Sequence, residues 1–214
     1  MLMEFLNPPI TFDPTKPFYG LVVSYLSQLH GFVELCSRGL SLQLDGIPEA
    51  TLAAMSSGEV EVKAREALNR IFAGGRTGLL GDQQLASVTS SALKVDIDLL
   101  AKTLLVDYEA ALQHFNEVAA GGTLIVAWAI TGAFHTTDPL WEFLRHCRNA
   151  AAHRGHFHLL NGEPRRPAVW RGLQVTRAMH GSLLLRDPHR SGFLDPADVI
   201  YLLADIEGTY PGIQ

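Results

Sequence analysis

Apolar residues recur at helical spacing along most of this chain, and the pattern predicts a mainly helical protein. Residues 1–16 are punctuated by proline (Asn7-Pro8-Pro9, Asp13-Pro14) and read as extended. Thr15 or Lys16 ahead of Pro17 reads as a helix start, because the fixed φ of proline suits a first turn. Val22, Leu26, Leu29, Val33 and Cys36 then step by threes and fours along one face, and Gly39 is the predicted end. Leu40-Ser41-Leu42-Gln43-Leu44 alternates and runs into Asp45-Gly46, which reads as a short strand or hairpin edge. Glu59 to Ala73 is a second amphipathic helix closed by Gly74-Gly75, with Glu59, Lys63, Glu66 and Arg70 spaced for side-chain pairing.

The longest helical signal runs from about Gln83 to Ala120, through Leu85, Val88, Ala92, Val95 and Leu99 and again through Leu105, Tyr108, Leu112 and Phe115. Straight, it would span ~55 Å, longer than a small domain needs, so either a kink or a projecting partner surface fits. Beyond Gly121-Gly122, Thr123 to Phe134 is nearly all apolar and reads as a buried helix. Thr137 or Asp138 followed by Pro139 starts another helix, which passes Trp141 and Arg148 to about His153 and stops at Gly155. Residues 161–172 form a basic loop, Trp170 to Val175 a short strand, and Asp195-Pro196 opens a last helix through Val199, Leu202, Leu203 and Ile206. The predicted fold class is all-α, an antiparallel helical bundle with a minor short β element, in one domain over residues 1–214.

Composition agrees with a folded chain: 214 residues, 47% hydrophobic and 18% charged. Two cysteines, Cys36 and Cys147, exclude a disulfide framework and a cysteine-rich zinc module. They fit a reducing compartment. The first residues carry Glu4, Pro8, Pro9 and Asp13 in place of a basic region and an apolar run, so no signal peptide is expected and a cytoplasmic setting is. The longest apolar run, Leu124 to Ala133 with Thr131 and Gly132 inside it, is shorter than the ~20 residues of a membrane span. No cofactor motif is expected from the sequence.

Charge changes the picture more. Residues 141–190 hold nine Arg, no Lys and three acids, a balance of +6, whereas the remainder holds eight basic and nineteen acidic side chains, a balance of −11, within a net charge of −5. Six of the nine histidines also fall in 141–190. A local anionic ligand such as a phosphate would explain the asymmetry; pairing of these arginines with acids of the body explains it equally well.

The helix over 138–153 carries the candidate chemistry. On a helical wheel Phe143, Leu144, Cys147, Ala150 and Ala151 fall on one side, and Arg145, His146, Arg148, Asn149, His153 and His156 on the other. From residue 143 on, that polar side holds Arg, Asn and His without an acid or a Lys. Histidine exchanges protons near neutral pH, and arginine offers a charged planar fork to phosphate oxygens. Asn149, four residues before His153, is placed to orient its imidazole. Such groups suit an RNA phosphodiester, a base for the 2′-hydroxyl and a cation for the charge that develops on phosphorus, with no metal required. Spacing alone favours the plainer reading, a solvated helix face with ion-paired arginines.

Arg148-Asn149-Ala150-Ala151-Ala152-His153 resembles the signature of the HEPN superfamily: an Arg, a polar residue and a His after four to six intervening residues, on a late helix. The strongest resemblance covers about residues 138–160, with a looser helical match over 15–207, and it is closest to the small plasmid- and defence-associated bacterial branch. The resemblance implies a helical bundle that dimerises through the motif helix to form one composite cleft. It implies metal-independent endoribonuclease activity leaving a cyclic phosphate. Arg148 would stabilise the phosphorane-like transition state, His153 would act as general acid or base, and Asn149 would support it. Arg145, His146, Arg154 and His156 would bind the RNA. A toxin or defence role, with a cognate antitoxin protein as partner, fits the branch; so does an RNA- or nucleotide-binding module without catalysis, or an interaction protein that docks through its long helix. In members modified on tyrosine by a nucleotidyltransferase antitoxin a Tyr stands two residues after the His; here that residue is Gly155, and that mode of control is not expected.

Other constellations are weaker. His146, His153, His156 and His158 lack a nearby acid to complete a transition-metal set, and a His-rich end of an active-site helix reads better. Asp187, Ser191, Gly192, Asp195 and Asp198 fall at positions of a calcium loop, but His189 and the short Asp198 fit poorly, and a turn ending in a helix cap is preferred. Gly74-Gly75-Arg76-Thr77-Gly78 lacks the full spacing and the Gly-Lys pair of a phosphate loop. Asp96, Asp98 and Asp107 read as the solvated face of the long helix.

Overall fold

A computed structural model describes residues 12–44, 83–85, 93–186 and 190–213 of the chain. The described residues are mostly helical, with minor short β elements, as the apolar periodicity predicts. The helices are α1 (Phe18–Leu44), α2 (Ile97–Val106), α3 (Tyr108–Ile130), α4 (Pro139–Ala152) and α5 (Asp198–Thr209). Two antiparallel two-stranded pieces join them, β1 (Gln83–Leu85) with β2 (Leu93–Val95), and β3 (Val169–Trp170) with β4 (Leu173–Gln174). The expected helix over 59–73, the Gly-rich segment 74–78 and the extended residues 1–11 lie outside the described residues. Among the described residues no helix is long and apolar enough to cross a membrane.

The described residues divide into two compact units, one drawn from residues 29–111 and the other from 1–28 with 112–214. The first unit corrects three expectations. Gly39 does not end α1, and 40–44 is helix, not strand. A Cβ on Gly39 would sit 2.5 Å from the Ala101 carbonyl oxygen and 2.8 Å from Leu105 Cδ1, so this glycine lets α2 approach the backbone of α1. The long helix expected over 83–120 is broken. Residues 83–85 and 93–95 pair as strands in the register Gln83↔Val95, Gln84↔Lys94 and Leu85↔Leu93. Asp96 then caps α2 by accepting from the Leu99 amide at 2.9 Å, and Asp107 accepts from the Ala110 amide at 3.1 Å where α3 begins. Asp98 pairs with Arg38. Helix starts and an ion pair thus occupy the three aspartates that read as a solvated face.

The second unit contains the larger core, and α4 is its central element. Trp141, Phe143, Leu144, Cys147 and Ala150 of α4 are all fully buried, against Phe18 and Val22 of α1, Leu124 and Ala127 of α3, and Val199, Leu202 and Leu203 of α5. Phe143 meets Trp170 and Phe193 at ring-centroid distances of 5.6 and 5.7 Å. On the other side Trp141 sits between His135 and Tyr210, at 4.9 and 5.1 Å. α3 runs unbroken through Gly121-Gly122, where a separate helix over 123–134 was expected; the buried Gly121 meets Ala151 of α4, and a Cβ there would lie at an ordinary 3.6 Å from the Ala151 Cβ. The β3–β4 hairpin turns on Arg171 and Gly172, both left-handed at φ 46° and 81°. Holding a non-glycine residue so costs ~1–2 kcal/mol, offset here by a paired contact of Arg171 with Asp205 at 2.6 and 2.9 Å, which also takes the Trp170 indole N–H at 2.8 Å.

Candidate functional site

The motif helix begins and ends where the sequence places it. Asp138 is the N-cap, Pro139 opens the first turn, and His153 is the C-cap, its amide bonded to the carbonyls of both Asn149 and Ala150 at 3.0 Å. Arg154 and Gly155 then turn left-handed at φ 57° and 73°, which reverses the chain. The following residues pair with 181–184: Phe157 N–H donates to the Ser182 carbonyl at 2.9 Å, Gly181 N–H to Phe157 at 2.8 Å, and Leu184 N–H to Gly155 at 2.7 Å.

That pairing builds a cluster of exposed imidazoles. His153 stacks on His158 at 4.8 Å between ring centroids, and His180 follows at 5.7 Å. The Leu159 amide donates to Nδ1 of His180 at 3.1 Å, so that nitrogen presents a lone pair and fixes the ring. His156 donates from Nδ1 to the Arg154 carbonyl at 2.8 Å, since a carbonyl only accepts. His180 was not among the residues singled out in the sequence; nothing near it in the chain announces a strand pairing that spans more than twenty positions. Among the described residues no group of three or more His, Cys, Asp or Glu is arranged to hold a metal ion.

The arginines differ in their partners: Arg165 and Arg177 donate to the backbone carbonyls of Asn161 and Gly162. Arg145, Arg166, Arg171 and Arg186 pair with carboxylates, at 2.8, 3.3, 2.6 and 3.2 Å in their closest or only such contacts. Arg148 does not. It is half-buried, its NH1 donates to Asn149 Oδ1 at 3.0 Å, and its Nε is buried with no hydrogen-bond partner among the described residues. A buried unpartnered donor costs ~1–3 kcal/mol, and among the described residues Arg148 has no carboxylate partner. Arg154 is exposed and likewise has no acceptor for its guanidinium among the described residues.

Two expected placements are corrected. Arg145 and His146 do not lie on an open polar face with Arg148. Glu142, one residue before the stretch whose polar side is free of acids, is 6% exposed and draws Arg145 inward, Nε to Oε2 at 2.9 Å, while Arg145 NH1 reaches Glu163 at 3.0 Å. His146 is 1% exposed and meets Arg145 NH2 through Nε2 at 3.0 Å. Arginine can only donate, so His146 Nε2 accepts, and burial, aided by the adjacent Arg145 charge, pushes this imidazole below the ordinary histidine range. Asn149 takes its bond from Arg148, not from His153. Arg148 and Asn149 therefore form one unit and His153 with His158 another. Burial raises the Cys147 thiol far out of the reactive range. In the calcium-like segment Asp195 pairs with Arg186, Asp198 accepts from the Asp195 amide at 2.9 Å, and Asp187 lies outside the described residues.

Compared with protein-family models, curated proteins and solved structures, this chain finds no match.

Proposed function

We propose that the chain is a metal-independent endoribonuclease that acts through Arg148 and His153. The observation that carries this reading is the uncompensated Arg148 guanidinium, on the same helix that ends in the exposed His153–His158 stack. Beside four arginines of the same region that meet carboxylates, a half-buried cation without one among the described residues favours an external anion, and the paired oxygens of a phosphate suit its planar fork. An imidazole at His153 supplies the proton transfer that such an anion needs if it is an RNA diester.

In this reading His153 removes the 2′-hydroxyl proton, the 2′-oxygen bonds to phosphorus, and the bond to the 5′-oxygen breaks. The leaving oxygen takes a proton from an imidazolium, and Arg148 offsets the charge that develops on the phosphoryl oxygens. The products are a 2′,3′-cyclic phosphate and a free 5′-hydroxyl. Asn149 acts as a positioning residue for Arg148. Arg154 and His156 supply the RNA contacts, and Arg145 with His146 hold α4 in the core. Work as a homodimer, with Arg148 and His153 of two copies in one cleft, and a toxin or defence role with an antitoxin partner follow from the HEPN resemblance.

Arg148→Ala and His153→Ala each lower cleavage at least ~100-fold with the helical circular dichroism unchanged. RNA binding with no product from the wild type, under any condition of pH, would turn the same site into a binding module. Sedimentation gives the dimer its own test: a monomer that cleaves would remove the composite cleft.

A further inference from the structure

Beside the C-terminal end of α4 lies a cleft of about 170 Å³, of whose lining the proposed chemistry uses Arg154 alone. It is smaller than the ~300–1,000 Å³ of pockets for drug-sized ligands, so it suits one ring system. Its apolar lining is small or aliphatic: Gly121 of α3, Ala151 and Gly155 from the end of α4, and Leu183. A slot between apolar side chains can hold a planar base. One rim is polar. Asn116 and Glu117 lie three and four residues after Gln113 along α3, within reach of its side chain. Gln113 Nε2 donates to Glu117 Oε1 at 2.9 Å, which fixes the carboxylate and leaves Oε2 free to accept. The cleft is also lined by two cations, Arg186, which pairs with Asp195 at 3.2 Å, and Arg154, whose guanidinium has no partner among the described residues.

A slot for a planar ring, a rim of hydrogen-bonding groups and a free guanidinium together describe a nucleotide site. The carboxylate selects the base. Guanine offers two adjacent N–H donors on its Watson–Crick edge and a carbonyl beside them, which Glu117 and the Asn116 amide can meet together. Adenine and cytosine place a ring lone pair where the carboxylate needs a donor, and uracil flanks its single N–H with two carbonyls. We propose that this cleft binds a guanine nucleotide, with the base on Glu117 and Asn116 and the phosphate on Arg154. Arg154 follows His153 directly in the chain, so a guanine held here would be one residue of an RNA strand whose neighbouring phosphate reaches the imidazoles; that extension rests on the ribonuclease reading, whereas nucleotide binding does not.

The test is a titration of the full ¹⁵N-labelled chain with GMP, AMP, CMP and UMP. GMP shifts the amides of Gly121, Gly155 and Leu184 at concentrations at least about tenfold below the other three, and Glu117→Gln removes that difference. Gly121→Ala narrows the slot, and because its Cβ meets Ala151 at 3.6 Å the fold accepts it; this variant keeps its melting temperature and loses the GMP shifts. Equal shifts from all four nucleotides, shifts from none, or wild-type GMP binding by Gly121→Ala would overturn the proposal. GMP shifts in a protein that cleaves no RNA support the cleft and count against the nuclease; cleavage without GMP shifts does the reverse.

Discussion

Replacing Glu142 by alanine should destabilise the chain by an amount its exposed ion pairs cannot match. Glu142 sits in the first turn of α4 with its side chain 7% exposed, and it accepts from Arg145 at 2.8 and 2.9 Å and from Arg166 at 3.3 Å. Removing one partner of a buried pair costs ~3–5 kcal/mol when the other charge is left alone. Two features lower that figure. Arg145 keeps Glu163 at 3.0 Å, and Arg166 is 55% exposed, so its contact is screened and contributes little. About 2–3 kcal/mol remains, from the two charge-assisted bonds to Arg145. For a chain of this size that corresponds to a melting temperature about 4–12 °C lower. Glu142→Gln keeps the volume and one acceptor oxygen and should lose about half as much. Chemical denaturation of Glu142→Ala, Arg145→Met and the double variant gives a coupling energy of at least ~1 kcal/mol. A loss below ~0.5 kcal/mol for Glu142→Ala, the size of a surface pair, would refute the inward placement of Arg145 and return it to the candidate RNA face.

Other consequences follow from single contacts. Burial and the Arg145 charge lower the pKa of His146 in the folded chain below its unfolded value near 6.5, so this residue's contribution is complete above that pH and declines as pH falls below it; denaturation between pH 7 and 5 should show a flatter decline for His146→Gln, whose carbonyl oxygen can still accept from Arg145, and an unchanged slope would contradict the burial argument. Gly39→Ala forces a methyl to 2.5 Å from the Ala101 carbonyl and should cost ~1–3 kcal/mol despite alanine's better helix propensity; a stabilised variant would mean that α2 does not pack there. Asp96→Ala and Asp107→Ala each remove an N-cap bond and should cost ~1 kcal/mol, read from urea midpoints; no change in either would argue for the continuous helix that the periodicity suggests.

How far the sequence reaches depends on the range of the forces involved. The motif helix was legible to the residue because its signals are local: a cap-and-proline start at Asp138-Pro139, an apolar stripe, and a glycine in the left-handed turn at Gly155. The break between α2 and α3 was written in the same local language, as Asp96 and Asp107 three residues before the amides they cap, but the apolar steps continue across both and mask it. Glycine misleads where tertiary packing decides. Gly39 and Gly121 sit inside helices, one because a neighbouring backbone approaches it and one at a crossing with Ala151. In the candidate site, Arg148, Asn149 and His153 were named from the resemblance their motif carries, since spacing alone favoured a solvated face. The partners of Arg145 and His158 could not be named. Glu142 lies a residue outside the polar stretch, Glu163 comes from a loop, and His180 arrives through a strand pairing. Of the two readings of the charge asymmetry, ion pairing holds for four of its arginines, and Arg148 has no carboxylate partner among the described residues.

The proposed cleavage of RNA by Arg148 and His153 is tested most directly by incubating the purified chain with a mixed-sequence RNA in EDTA beside an Arg148→Ala/His153→Ala double variant. The account predicts products with 2′,3′-cyclic phosphate ends from the wild type and none from the variant. Intact RNA in both, or equal cleavage by both, would contradict it.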